Sequence, residues 1–196
     1  IRYNQAIASR LTKPVASAPP VADQLAGLPV PQVLIGGYGR VGHTIAVLLK
    51  SSGVDFVAFD TDPKRVQQGQ AEGHAVLYGD IADADLLAVA RAERASLAII
   101  TVDSHAVALR TVAALRKHCP QVPVIARARD LEASSALIEA GAIHAYPEAI
   151  ESSLRLGATA LRMLRIPTVD IDQMLQDIRD GDYQPVIENP VKENAK

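Results

Sequence analysis

From Gln32 onward the chain alternates between two hydrophobic periods. Short apolar runs at 33–35, 54–59, 75–78, 96–102, 122–126 and 142–145 read as buried strands. Between them apolar residues recur at helical spacing over 40–52, 63–72, 83–92, 104–118, 131–140 and 148–164. In the first of these helices the spacing is carried by Val41, Ile45, Val47, Leu48 and Leu49, and Gly53 follows as a C-cap. Pro63 opens the second helix, Pro120 ends the fourth, and Pro167 stops the last. Strictly alternating strands and helices, with strands apolar throughout, imply a parallel sheet covered on both faces. The expected fold is α/β: a Rossmann-like, doubly wound sheet of six parallel strands.

The two ends depart from this pattern. Residues 1–11 read as a helix. Five prolines then fall within 12–31, which denies the backbone regular hydrogen bonding. The stretch 1–31 is therefore expected to be a semi-rigid linker from a preceding region. Residues 32–166 form the expected domain. Residues 167–196 form an extension with one short helix over 169–179 and a disordered tail over 189–196.

The first strand runs into VLIGGYGRVG, which places Gly37, Gly39 and Gly42 where strand becomes helix. Such a spacing allows a tight turn at Gly37, close approach of a phosphate at Gly39 and close helix–strand packing at Gly42. The helix start adds unpaired N–H groups and a positive dipole end, and Arg40 adds a charge. Asp60 ends the second strand, about 20 residues after Gly39, where a carboxylate accepts ribose hydroxyls. It would repel a 2′-phosphate, which favours NAD(H) or an adenosine nucleotide over NADP(H). The plain alternative is a tight turn with a surface acid. Asp80 follows the third strand, near where an adenine edge would lie, and Thr101, Val102 and Asp103 follow the fourth, beside the topological switch point.

Composition narrows the function. A net charge of −2 argues against nucleic acid as a partner, as does the absence of tryptophan among few aromatics. A single cysteine, Cys119, rules out an intrachain disulfide framework and favours a reducing compartment. No stretch reaches the roughly 18 consecutive apolar residues of a membrane span. The chain opens on Ile1 rather than Met, so it reads as a fragment or a processed chain, and its bulk composition does not exclude a membrane-embedded parent. The histidines (His43, His74, His105, His118 and His144) are scattered without metal-ligand spacing, and no G-x-S-x-G nucleophile motif occurs. His105 stands out among them because it lies just past the fourth strand. No enzymatic activity is expected. A small NAD-dependent oxidoreductase and a purely structural dimerisation domain are the alternatives.

The motifs GYGRVG, FDTDP (59–63), YGD (78–80), TVDS (101–104) and ARARD (126–130) fall in a fixed order. In that order they resemble the KTN or RCK N-terminal (TrkA-N-like) domain, the cytosolic nucleotide-binding module of potassium channels and transporters. Among these the chain looks like the Kef-type potassium/proton antiporters, and YPEAIESSLRLG (146–157) looks like their closing helix. The resemblance implies a regulatory domain on the cytoplasmic face of the membrane, joined by a linker to a membrane antiporter domain and paired as a homodimer. It implies a regulatory ligand that is NAD(H) or an adenine nucleotide (AMP, ADP or ATP). Carried over by motif, Gly37, Gly39, Arg40 and Gly42 would hold the phosphates, Asp60 the ribose and Asp80 the adenine. Thr101 and Val102 would flank the ligand, and Arg127 would reach a phosphate or a dimer partner. Tyr38 and Val41 in the turn, with Thr61 and Ile81 beside the acids, complete the expected lining. Glutathione-gated Kef members carry arginines in the helix after ARARD. Here that helix reads LEASSALIEA and has none, which speaks against glutathione gating.

Overall fold

The computed structural model describes residues 30–187. The expected helix over 1–11, the linker up to residue 29 and the tail over 189–196 lie outside the described residues. Six strands, β1 (Val33–Gly36), β2 (Phe56–Asp60), β3 (Val76–Tyr78), β4 (Leu97–Ile100), β5 (Val124–Ala128) and β6 (His144–Pro147), form one sheet in the order β3-β2-β1-β4-β5-β6. Every pairing is parallel. The order reverses between β1 and β4, so their carboxyl ends diverge and open a crevice there.

The period-two alternation of each strand sends side chains to two separate cores. Leu34, Val57, Phe59, Leu77 and Ile100 pack on one face, with Val112 and Leu115 of α4 (His105–His118) and Leu137 of α5 (Leu131–Glu139). Val33, Ile35, Phe56, Ala58 and Ile99 pack on the other, with Ala46 of α1 (Arg40–Ser51) and Val66 of α2 (Pro63–Ala71). Both faces are thus buried at the centre, as the uninterrupted apolar strands require. Cys119 is buried, and burial pushes its thiol up from the ordinary value.

On the second face the cover stops short of the far edge. The alternation of β5 and β6 sends Ile125, Arg127, His144 and Tyr146 to this side, where the first two are half-buried and the last two exposed. The helix α6 (Glu148–Met163) leaves the edge strand and buries only Ala158. It pairs instead with α7 (Thr168–Asp180). Arg179 of α7 holds Glu151 of α6 through two hydrogen bonds of 2.9 and 2.8 Å, and the Tyr183 hydroxyl donates to the same carboxylate at 2.8 Å. Arg179 keeps Glu151 below its usual carboxylate range, and burial raises the Tyr183 phenol to about 12.

Several boundaries differ from the sequence pattern for local reasons. Val54 and Asp55 are not in β2, because the Val54 N–H closes the preceding helix on Leu49. The third helix shrinks to α3 (Ala84–Val89), broken where Arg91 turns left-handed at φ 52°. Thr101 and Val102 fall outside β4. The fifth strand begins at Val124 rather than 122, because the Val122 N–H returns to the Cys119 carbonyl. This shift puts Arg127 inside a strand. The sixth strand sits two residues later than the apolar run. A one-turn helix, α8 (Gln184–Ile187), has no counterpart in the sequence reading.

Candidate functional site

The glycine turn between β1 and α1 is built from both sides. Gly37 sits at φ 95°, a conformation L side chains rarely adopt, and its N–H donates to the Phe59 carbonyl at 2.8 Å. Its own carbonyl accepts from Thr101 Oγ1 at 2.8 Å. Gly42 lies so close beneath the turn that a Cβ there would stand 2.1 Å from the Gly37 oxygen. The fold itself therefore dictates the first and third glycines.

Gly39 is different. Its backbone is extended (φ −74°, ψ −164°), open to any residue. A Cβ on it would meet, among the described residues, only the Arg65 guanidinium, with Nη1 at 3.6 Å, which is ordinary contact. Nothing among the described residues requires glycine at this position. Gly39 is also the N-cap of α1, yet no side chain caps that helix and no acid lies in its first turn. Four other helices are capped: α2 by Asp62, α3 by Asp83, α4 by Ser104 and α5 by Asp130. The first N–H groups of α1 thus face open space with the helix dipole behind them.

That space is a cleft of about 800 Å³ over the carboxyl ends of the strands. Among its walls are Gly37, Tyr38, Gly39, Arg40 and Val41 from the turn, Asp60 and Thr61 after β2, and Asp80 and Ile81 after β3. Thr101 and Val102 after β4, with Arg127 of β5, line it too. Every residue expected at the site therefore borders one cleft except Gly42, which lies beneath it. A volume of this size lies within the usual range for small-molecule sites.

The roles of these side chains are unequal. Asp60 is buried, and its carboxylate accepts from the Tyr38 N–H (2.6 Å) and the Asp62 N–H (2.8 Å), with Arg65 Nη1 at 3.4 Å. It fixes the turn as well as facing the cleft. Thr101 is buried too, and its hydroxyl is committed to the Gly37 carbonyl. Tyr38 contributes backbone; its ring turns back toward α2, where its hydroxyl bonds His74 Nδ1. Burial raises that phenol to about 12, with the Glu72 carboxylate adding to the effect. Asp80 accepts from the Ala82 N–H and pairs with Arg110 of α4 at 2.6 Å. Arg127 is bound to both Asp103 and Glu148. Its hydrogen bond holds Asp103 below the usual carboxylate range. His105 does not line the cleft, and its Nδ1 is buried without a hydrogen-bond partner among the described residues.

Sequence reasoning missed Arg65, Arg110 and Glu148 as wall residues. Arg65 lies one turn into α2, close enough to the Asp60 motif to have been noticed. Arg110 and Glu148 reach the cleft only through the strand order, which no local pattern carries. No group of three or more metal-ligating side chains occurs among the described residues.

Residues 33–147 match the family model described as the TrkA-N domain. The chain belongs to the TrkA-N domain family. The matched span runs from β1 to the end of β6, so α6 and α7 lie beyond it. The chain is 36% identical over 179 residues to K(+) efflux antiporter 2, chloroplastic, of Arabidopsis thaliana, covering 89% of this chain and 15% of the relative. It is 34% identical over 163 residues to the glutathione-regulated potassium-efflux system protein KefC of Cronobacter sakazakii, covering 78% of this chain and 26% of the relative. The chain thus spans about a quarter or less of these relatives. Among solved structures it resembles the Kef CTD of Shewanella denitrificans in its AMP-bound form, with a TM-score of 0.65 and 30% identity over 78% of this chain and 95% of that one. It also resembles the GsuK channel bound to NAD, with a TM-score of 0.55 and 27% identity over 60% of this chain and 21% of that one. The six-stranded Rossmann-like fold and the Kef-type resemblance expected from the motifs are those of these relatives. Among the described residues no helix is long and apolar enough to cross a membrane.

Proposed function

We propose that this TrkA-N domain is the regulatory module of a Kef-type potassium/proton antiporter, and that it senses NAD(H) or an adenine nucleotide. The observation that carries the proposal is Gly39. The protein's own packing leaves its missing side chain unexplained, whereas a phosphate seated on the bare N-terminus of α1 accounts for it. Asp60, behind the turn, would take the ribose hydroxyls, and Asp80 would lie at the adenine end. The AMP-bound Kef relative and the NAD-bound GsuK relative support this class of ligand.

No chemistry is assigned to the site. The ligand acts by binding: one that prefers one arrangement of the assembled domains shifts the population toward it by its differential affinity. Residues preceding the domain would pass that bias to a membrane antiporter domain, with this domain at the cytoplasmic face. The module pairs as a homodimer. Support comes from the uncovered face of β5 and β6 and from α6, where Leu156 and Met163 are 74% and 81% exposed. Apolar side chains this exposed on adjoining elements are the usual mark of a protein interface.

Titration calorimetry of the purified chain with AMP, ADP, ATP, NAD and NADH tests the reading. Saturable binding of at least one of them supports it. Failure of all five to bind leaves the glycine turn as a turn and the module as an assembly domain.

A further inference from the structure

Tyr38 works in two places. Its backbone lies in the middle of the glycine turn, where its N–H donates to Asp60. Its ring is buried and turns back against α2, which makes room for it. A Cβ on Gly69, inside α2, would stand 2.8 Å from Tyr38 Cε1 and 2.4 Å from Val76 Cγ2. Glycine within a helix costs about 1 kcal/mol relative to alanine, and here it seats the ring. At the far end of the ring stands His74, whose own N–H returns to the Gly69 carbonyl at 2.9 Å. One residue of α2 thus positions both the tyrosine and the histidine.

The Tyr38 hydroxyl bonds His74 Nδ1. With its pKa raised to about 12, the phenol keeps its proton and donates, so Nδ1 accepts. Neutral imidazole can fill that role. Imidazolium cannot, because both of its nitrogens carry hydrogen. A proton on Nδ1 would meet the phenol's own donor, and the hydroxyl would have to turn and lose this acceptor. Charged and titratable groups face the ring from each neighbouring element. His43 and Lys50 come from α1, and Glu72 comes from the end of α2. Asp55, ahead of β2, stands on the wall of a second cavity of about 290 Å³ that His74 also lines. Phe56 of β2 meets the ring edge-on. Glu72 is already engaged by His43 at 2.8 Å and Gln68 at 3.0 Å.

We infer that Tyr38 and His74 form a proton-sensitive strut beneath the anion-binding turn: proton uptake by His74 frees the Tyr38 side chain, loosens the turn and weakens its hold on a phosphate. His74 touches no ligand; it is a positioning residue that acts through Tyr38. The inference rests on the nucleotide-binding reading above and gives that site a second input, acidity. Ligand and proton then oppose each other, each lowering the other's affinity by the same factor.

The test is titration calorimetry of AMP into the purified chain at about pH 7.5 and about pH 5.5. It uses the native sequence, His74→Asn, Tyr38→Phe and His43→Gln, with circular dichroism at each pH to show that each stays folded. Asparagine offers an amide oxygen that accepts a hydrogen bond without titrating. The phosphate of AMP takes up its own proton at about pH 6, in every variant alike, so the readout is how much affinity each chain loses between the two pH values. The native chain should lose about threefold more than His74→Asn or Tyr38→Phe, and His43→Gln should lose as much as the native chain. Equal losses in the native chain and His74→Asn overturn the inference. So does an excess loss that disappears in His43→Gln, or a native affinity that rises with acid relative to His74→Asn. An amide NMR titration of the native chain reads the strut without ligand or variant. The Tyr38 and Gly39 N–H signals should move with the His74 ring signals, and N–H signals that stay still while the ring titrates overturn the inference. If AMP binds the native chain at neither pH while these signals move together, the strut stands and the nucleotide reading falls.

Discussion

The backbone N–H of Tyr38 donates to Asp60 Oδ2 at 2.6 Å, tying the middle of the glycine turn to the tip of the neighbouring strand. The acid that would hold a ribose therefore also holds the loop that would hold the phosphate. Its other oxygen accepts from the Asp62 N–H, so both carboxylate oxygens have structural work. Asp60→Ala would leave the Tyr38 N–H buried and unpaired, costing about 1–3 kcal/mol. Asp60→Asn would set an amide NH₂ against one of the two N–H donors and would also destabilise the turn. The expected outcome for Asp60→Ala is a lower urea midpoint together with lost nucleotide binding. An unchanged midpoint would show that the turn holds without the acid.

Acid should weaken the domain through His74. The imidazole lies against Tyr38, edge-on to Phe56 at 5.6 Å, near the His43 ring at 6.2 Å, with Glu72 and Lys50 as its charged neighbours and Asp55 on the wall of the same small pocket. Burial holds its pKa below the ordinary value, and the Glu72 carboxylate only partly opposes that. A histidine with a depressed folded pKa binds fewer protons folded than unfolded. Its contribution is therefore complete above about pH 6.5, the unfolded value, and is lost as the pH falls through it toward the folded value. Urea midpoints of the native chain should drop between about pH 7.5 and pH 5.5, and the slope should flatten in His74→Phe. A midpoint that rises on acidification would contradict this sign.

The exposed stripe on α6 should carry the homodimer. Leu156 and Met163 lie seven residues apart, on one helical face, and neither is buried by the domain itself. Glutamate at both positions should convert a dimer to a monomer in light scattering. It should change the stability of the monomer by no more than about 0.5 kcal/mol, since no core contact is removed. Dimers that survive both substitutions would place the interface elsewhere.

Much of this was legible in the chain. Apolar strands alternating with helical spacing announced the sheet, and GYGRVG with Asp60 announced the crevice, because both depend on neighbours close in sequence. The length of β4 was not legible: Thr101 and Val102 look as apolar-friendly as the strand, yet the Thr101 N–H bonds Gly36 and its hydroxyl bonds Gly37. The state of Arg127 was not legible either. Its partners lie 24 and 21 residues away and meet it only across three strand ends. The difference between Gly39 and its two neighbours was invisible as well, since the sequence writes all three with the same letter. Only the distances from a missing Cβ separate a glycine the fold needs from one it does not.

That difference yields the most direct test. Gly42→Ala would drive a methyl group into the Gly37 carbonyl and cost about 1–3 kcal/mol or more, so lost binding there would mean little. Gly39→Asp has room, suits an N-cap and complements the helix dipole, so it should keep or raise the melting temperature. It would also put a carboxylate where the phosphate belongs. The measurement is titration of AMP into native and Gly39→Asp chains, with a thermal melt of each. The account predicts binding to the native chain, at least about tenfold weaker binding to the variant, and a melting temperature no lower. AMP affinity unchanged in a folded Gly39→Asp chain would contradict it.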